Sequence, residues 1–393
     1  MAICAVLLLA GGLCGLAGAG ALQTGSSRLS GAVALGDGAV IVGSASVPLA
    51  SVLYAITDVE PAMPADSALR LVSGEIWAGG VQAVSAGQCT VSLGPAGTRQ
   101  IDTGYISAID FAPNLPAPAG GEESVLHRRK SESVPGTLMW VDGREVCIDS
   151  LLGVLTLGRE TCTRYVFPAS AAKAMPASAP ANPDELGLAD GSVFRGRVAL
   201  ASKNVELDHP LLGKVRFPSS AVRYLLRGDA SATFLADLAP AKVQAASLIG
   251  LPDAPQTVTV LSPRQSPVGK WTQVRSIRIE PRTTLRYKLP GPDGSPLMLR
   301  GALAADSRAK GSAIVRISVG GVKQLQKELL PAGEPSPLEL PAHAGDELEI
   351  EVEFGGKVAF PCAAVLLEPL LTPRAQPAPA EAAASSPASA PAQ

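Results

Sequence analysis

Apolar and polar positions alternate with period two along much of this chain, in runs short enough for strands. Residues 188–228 show the pattern best. Asp190-Gly191 opens the stretch as a turn dipeptide, because Gly accepts positive φ and Asp bonds its own backbone. Runs at Val193/Arg195/Arg197, Val205-Glu206-Leu207 and Val215-Arg216-Phe217 follow, broken at Ser202-Lys203-Asn204 and His209-Pro210. The stretch closes on Phe217-Pro218 and Val222-Arg223-Tyr224-Leu225. Alternation cut this often predicts antiparallel strands with one buried face.

The pattern recurs upstream. Gly31 to Leu35 and Val40-Ile41-Val42 match Gly196 to Leu200 and Val205-Glu206-Leu207 in spacing, and Pro48 to Tyr54 matches Pro218 to Tyr224. A third copy sets Asp149-Ser150-Leu151-Leu152-Gly153 against Asp208 to Gly213. A second ends at Gly97 to Ile101, with Ile106 in the place of Val222. The first half therefore reads as four β-rich units of roughly 40 residues, small barrels or sandwiches, with chance likeness among strands as the competing reading. Units 1 and 2 occupy 22–112, divided by Pro61–Asp66. A loop and unit 3 occupy 113–167, and unit 4 occupies 185–229. In the loop, His127-Arg128-Arg129-Lys130 is flanked by Glu122, Glu123 and Glu132 and reads as a solvated segment. The Ala/Pro/Ser stretch 168–184 is a linker, and the similar stretch 372–393 is expected to be disordered.

The clearest strands lie in 230–371. Ile277/Ile279, Val315/Ile317/Val319 and Leu348/Ile350/Val352/Phe354 each predict a buried face. Glu349, Glu351 and Glu353 share the opposite face, a self-repelling row that calls for solvent, facing cations or a bound ion.

Composition narrows the function. Aromatics are 4% of 393 residues, while Gly (40) and Pro (34) are abundant, so many turns and few long helices are expected. A formal net charge of −2 provides no global basic field for nucleic acid. His127, His209 and His343 are the only histidines, too few for a His-rich metal site, and no cofactor is expected. The apolar run from Ile3 to Ala10, followed by Ala17-Gly18-Ala19 and Ala19-Gly20-Ala21, reads as a signal peptide over 1–21 cleaved near Ala19 or Ala21. An uncleaved anchor is the alternative, and no second membrane segment is seen. The expected location is secreted, periplasmic or envelope-associated. Cys4 and Cys14 leave with the signal, and no pair among Cys89, Cys147, Cys162 and Cys362 has CxxC spacing. Cys147 and Cys162, on neighbouring strand-like runs, are a disulfide candidate, with two small buried thiols as the alternative.

The C-terminal half resembles the NPCBM family of carbohydrate-binding modules of exported bacterial proteins. Phe234 to Val243 is similar to the family's lead-in segment, and Leu285-Arg286-Tyr287-Lys288-Leu289 to its L-x-Y-x-L strand. Gly311 to Gly321 is similar to its GSVxFxVxxDG strand and turn, and Asp346 to Phe354 to its penultimate strand. The resemblance implies a jelly-roll-like β-sandwich over 230–371, and a sugar site in which Asp306 matches the second Asp of a DD loop. Several positions depart from the family. Glu280 stands for a His, Gly320 for the turn Asp, and Val358 to Cys362 for an acidic segment containing Trp.

No HExxH, GxSxG, Walker or Rossmann pattern is present, and no enzyme is expected. Glycans pack their C–H faces on aromatics and fix their hydroxyls with polar groups. Trp271, Tyr287, Asp306 and Glu280 are therefore the candidate ligand contacts, with Trp271 and Tyr287 as core residues the alternative reading. The expected function is an exported non-catalytic module binding a glycan or envelope polymer. A structural envelope protein with protein partners and a degenerate sugar site is the alternative.

Overall fold

In a computed structural model, the described residues are 20–24, 28–60, 62, 65–113, 115, 118, 121–130, 132–228, 232–246, 258–261, 275–356 and 361–374. Trp271, residues 1–19 of the expected signal and residues 375–393 of the expected disordered stretch 372–393 lie outside them, whereas Thr372 and Pro373 of that stretch are strand residues, Thr372 buried. The fold is mostly β, and its helical elements among the described residues are single 3₁₀ turns. The chain divides into two compact units, one of 1–230 with 270–272 and the other of the remaining residues from 231.

The N-terminal domain is built from four β-rich segments. Repeat 1 comprises β1 (Gly20–Thr24), β2 (Arg28–Gly31), β3 (Val33–Leu35), β4 (Ala39–Val42), β5 (Ala45–Pro48) and β6 (Val52–Ile56). Repeat 2 comprises β7 (Ala68–Leu71), β8 (Ile76–Ala78), β9 (Gly80–Ser85), β10 (Gln88–Ser92), β11 (Thr98–Asp102) and β12 (Ile106–Asp110). Repeat 3 comprises β13 (Val125–Arg128), β14 (Val134–Pro135), β15 (Thr137–Val141), β16 (Glu145–Ser150), β17 (Gly153–Gly158) and β18 (Cys162–Val166). Repeat 4 comprises β19 (Asp184–Leu188), β20 (Val193–Ala201), β21 (Asn204–His209), β22 (Gly213–Pro218) and β23 (Val222–Leu226).

All four share one topology. The first strand pairs both the second and the last, and a three-strand meander precedes a 3₁₀ turn and the last strand. Those turns are Leu49–Ser51, Thr103–Tyr105, Arg159–Thr161 and Ser219–Ala221. Local chemistry sets them. Pro48 and Pro218 stand at the N-cap of the first and fourth, and Asp102 caps the second by accepting from the Gly104 amide. The residue after each turn, Val52, Ile106, Cys162 or Val222, is buried in the common core. In repeats 1 to 3 the second strand is interrupted, at Gly79 in repeat 2, where a Cβ would lie 2.1 Å from the Ser92 carbonyl oxygen.

The repeats join by their last strands. β6 pairs β23 through Tyr54↔Leu226, Ala55↔Leu225 and Ile56↔Tyr224. β12 pairs β18 through Ala108↔Val166, Ile109↔Tyr165 and Asp110↔Arg164. In both, third residue meets fifth and fourth meets fourth, so each junction has a local two-fold at the backbone level. Asp110 fastens the second junction, accepting from Arg164 Nε and, at 2.7 Å, from Arg70 Nε. The β8–β20 contact, Val193↔Ile76, ties repeat 4 to repeat 2.

Two segments differ from the sequence reading. The basic run is not a free loop: Val125–Arg128 is the first strand of repeat 3, held to β18, because fully buried Leu126 anchors it to the core. The stretch 168–184 is mostly exposed, yet Lys173 fixes it to repeat 2, its amide donating to Gly104 O and its Nζ reaching Asp102 at 2.6 Å.

The C-terminal domain is a two-sheet sandwich of β24 (Thr233–Phe234), β25 (Lys242–Ala245), β26 (Val258–Leu261), β27 (Ser276–Ile279), β28 (Thr283–Lys288), β29 (Pro296–Ala305), β30 (Ala313–Val319), β31 (Val322–Leu329), β32 (Ser336–His343), β33 (Glu347–Phe354) and β34 (Ala364–Pro373). One sheet runs β26-β27-β34-β29-β32, with β24 on β34; the other runs β25-β28-β33-β30-β31. The apolar sets at 277/279, 315/317/319 and 348/350/352 fill the core, each large side chain contributing about 1.5–3 kcal/mol before entropy is counted. The Glu row on β33 faces cations. Glu349 meets Arg286 at 2.7 Å, and Glu351 meets Arg316 at 3.0 Å, from the strands on either side.

Candidate functional site

Four charged side chains meet at one end of the sandwich. Ile277 and Ile279 enter the core, so alternation turns Arg278 to the outer face of β27. β34 begins at Ala364, which pairs Ile279 on one side and Ala305 on the other. Glu280 and Asp306 thus both stand one residue past the same row, and Arg278 reaches each. Its Nε donates to Asp306 Oδ2 and its Nη1 to Glu280 Oε1, both at 2.5 Å. The Arg308 amide donates to Asp306 Oδ1 at 2.8 Å, with Arg308 Nε at 3.5 Å from the same oxygen.

The Asp306 side chain is 2% exposed, and burial alone would raise its carboxyl; the Arg308 amide and the Arg278 guanidinium outweigh that and hold it below the usual carboxylate range. Burial lowers Arg278, but Asp306 and Glu280 together raise it further. Two cations and two anions balance here, and each Asp306 oxygen has a donor. The cluster offers fixed polarity, with rims at Glu280 and Arg308 that reach solvent.

The other sequence candidates lie elsewhere. Tyr287, on β28 of the opposite sheet, is 2% exposed within the core, and burial pushes its phenol up to about 12. Trp271 lies outside the described residues. The structure therefore brings together Glu280 and Asp306 alone, through an arginine the sequence reading did not single out.

The Cys147–Cys162 bridge is a correction: both thiols are free, as are Cys89 and Cys362, and all four are buried. Cys162 lies in the core on β18, in the same core as Val146 and Ile148. Alternation turns Cys147 to the other face of β16, in a different sheet from β18. Burial raises the Cys89 thiol to about 12 and also raises Cys162 and Cys362. Iodoacetamide at pH 8 is therefore expected to label none of the four in the native protein and all four in denaturant. A bridge would leave two unlabelled until reduction.

A second polar constellation was not foreseen. Glu75 and His209, 134 residues apart, are both about 1% exposed, with Nε2 at 2.9 Å from Oε1. His209 Nδ1 accepts from the Leu211 and Leu212 amides, so the proton sits on Nε2 and is donated to Glu75. Glu75 also accepts from the Arg195 amide at 2.6 Å and from Ser73 Oγ at 2.6 Å. Trp77 covers the imidazole, centroids 5.4 Å apart. Alongside, Glu185 accepts from Arg195 and from the Tyr224 hydroxyl at 2.9 Å; Gly187 leaves room for that tyrosine, whose ring a Cβ would meet at 1.9 Å. Enclosure on this scale makes the set a lock between repeats 2 and 4. A Glu immediately before Ile76-Trp77 in an apolar run was the available signal.

Among the described residues, no group of three or more His, Cys, Asp or Glu is arranged to hold a metal, and no helix is long and apolar enough to cross a membrane. No family model matches the chain, and no curated protein does. Solved structures resemble it distantly. A CBM51 module from Clostridium perfringens GH95, in complex with methyl-galactose, is 12% identical over 36% of this chain and 99% of its own, TM-score 0.28. The tandem CBM51 modules of a family 98 glycoside hydrolase from Streptococcus pneumoniae SP3-BS71 are 9% identical over 78% and 88%, TM-score 0.29. An exo-beta-1,3-galactanase from Phanerochaete chrysosporium, with galactose, is 12% identical over 90% and 95%, TM-score 0.21.

Proposed function

We propose that the chain is an exported, non-catalytic binding protein whose C-terminal sandwich engages a carbohydrate or another hydroxyl-rich polymer of the cell envelope. The observation that carries this reading is the Arg278–Asp306–Glu280 cluster. It fixes charged donors and acceptors at one end of a β-sandwich, with Arg308, 83% exposed, at its rim. The NPCBM-like motifs support it, since Asp306 is the position that the family resemblance marks. Export rests on the N-terminal apolar run. Cleavage after Ala19 suits the fold better than cleavage after Ala21, because Gly20 and Ala21 are strand residues and the Gly20 amide donates to Asp58.

Affinity should be low. Tyr287 is withdrawn into the core, and the charged groups are already paired with one another, so few fixed hydrogen bonds remain for a ligand. Titrating the full chain with purified envelope polysaccharides, followed by NMR, is expected to give saturable shifts near Arg308 and Glu280. The expected Kd is about millimolar, roughly −4 kcal/mol, and Arg308→Ala should weaken it several-fold. Shifts that never saturate, or that Arg308→Ala leaves unchanged, would refute the binding reading; release of shortened saccharides would refute the non-catalytic one.

A second reading, a structural protein acting through protein contacts, is favoured by one observation. A hairpin of repeat 3 carries Leu151, Leu152 and Val154 at 98%, 85% and 66% exposure.

A further inference from the structure

We propose that β17 is a self-association edge, through which two copies of this chain join about a two-fold axis. This edge is separate from whatever the sandwich binds, and the chain carries its own control in four copies of the same hairpin.

β17 is the terminal strand of the sheet β11-β10-β9-β15-β16-β17, so among the described residues no strand pairs its outer side. Leu151-Leu152 forms the tip before it, and Val154 and Thr156 are its outward residues. Counting back from the 3₁₀ turns aligns these two with Ser44 and Ser46 in repeat 1, Thr98 and Gln100 in repeat 2, and Lys214 and Arg216 in repeat 4. All of those positions are exposed. Three copies thus present polar or cationic groups there, the usual protection of an open edge. β17 (Gly-Val-Leu-Thr-Leu-Gly) has neither charge nor proline.

The tips tell the same story. In repeat 4, Leu211 and Leu212 pack against the core, and His209 beside them is bonded to Glu75 of repeat 2. In repeat 2, Leu93 and Ala96 are buried, and the Gly94–Ala96 turn lies against β22 of repeat 4. Repeats 2 and 4 therefore cover each other's tips reciprocally. Repeat 3 has an apolar tip of the same kind, left in the open.

Several features identify the occupant as a second copy. A two-fold contact sets a surface against itself, which an uncharged strand tolerates and a Lys/Arg edge does not. Two exposed leucines per copy would flank the antiparallel pair and leave water with it. The chain already joins its own repeats in this manner at β6–β23 and β12–β18, each strand antiparallel to its counterpart in identical register.

Sedimentation equilibrium of the full chain between about 1 and 100 μM, the range in which a micromolar association appears, tests this. The expected result is a mass that rises from one chain to two. Val154→Lys with Thr156→Arg installs the pair that repeat 4 already accommodates at Lys214 and Arg216. It is expected to keep the monomer mass throughout, a loosening of at least tenfold. Leu151→Asp, at a fully exposed site, should act in the same direction without disturbing the fold. Under mild oxidation Thr156→Cys should yield a covalent dimer, whereas Lys214→Cys on the sister edge should not. A monomer at every concentration, a dimer indifferent to the edge substitutions, or equal cross-linking from both cysteines would overturn the proposal.

Discussion

Replacing Glu75 by Ala is expected to cost the N-terminal domain about 3 kcal/mol or more, a large share of a typical domain's 5–15. The loss is not that of one ion pair. Glu75 is the shared acceptor for His209 Nε2, the Arg195 amide and Ser73 Oγ, and it lies where repeats 2 and 4 meet. Truncation leaves the buried His209 Nε2–H and the part-buried Arg195 amide without their acceptor. Each stranded donor costs about 1–3 kcal/mol. Glu75→Gln keeps an amide oxygen near Oε1 and should recover part of the loss. Asp208→Ala, on the exposed face of β21, should do nothing measurable. Urea unfolding followed by the fluorescence of Trp77 and Trp140, both in this domain, reads the effect. If Glu75→Ala matches the parent within about 0.5 kcal/mol, the lock is not what holds repeat 4 to repeat 2.

The markers that set the four similar strand patterns are local. Pro48 and Pro218 before the 3₁₀ turn, the apolar residue after it, and the Asp149–Gly153 and Asp208–Gly213 hairpins fall at matching positions in the sequence and in the fold. The sandwich strands were legible for the same reason: period two carries its own register. What stayed hidden depends on partners remote in sequence. Nothing near Asp110 announces Arg70 and Arg164, and nothing near Glu75 announces His209. β13 looks like a charged loop in sequence because one buried leucine, Leu126, decides its place against four basic or ionisable neighbours. The Glu row on β33 looked self-repelling in isolation; its cations come from β28 and β30. Half of the candidate site was visible as well. Asp306 and Glu280 were found from motif positions, but Arg278 was seen only as the polar residue between two isoleucines, and it is the group that unites them.

Asp306→Ala is expected to destabilise the C-terminal domain by about 2–4 kcal/mol at neutral pH, somewhat below the cost of breaking a fully buried pair because Arg278 retains some contact with water. The carboxylate satisfies the Arg308 amide and Arg278 Nε, and Glu280, on Nη1 alone, cannot take over either bond. The effect should depend on pH with a defined sign. The folded-state carboxyl titrates below its ordinary 3.8, so its contribution is complete above that value and is lost as pH falls through the lower folded value. Parent and variant should therefore differ most near pH 7 and converge under strongly acidic conditions. Hydrogen exchange of peptides covering β27, β29 and β34 locates the change, since Asp306 and Glu280 stand at the ends of strands that β34 joins. Asp306→Asn, which keeps an acceptor but not the charge, should fall between. An Asp reserved for a ligand would have an oxygen to spare and could be truncated at little cost to the fold. A variant as stable as the parent at pH 7 would return Asp306 to that role, whereas the expected loss makes Arg308 and Glu280 the groups left to meet the ligand.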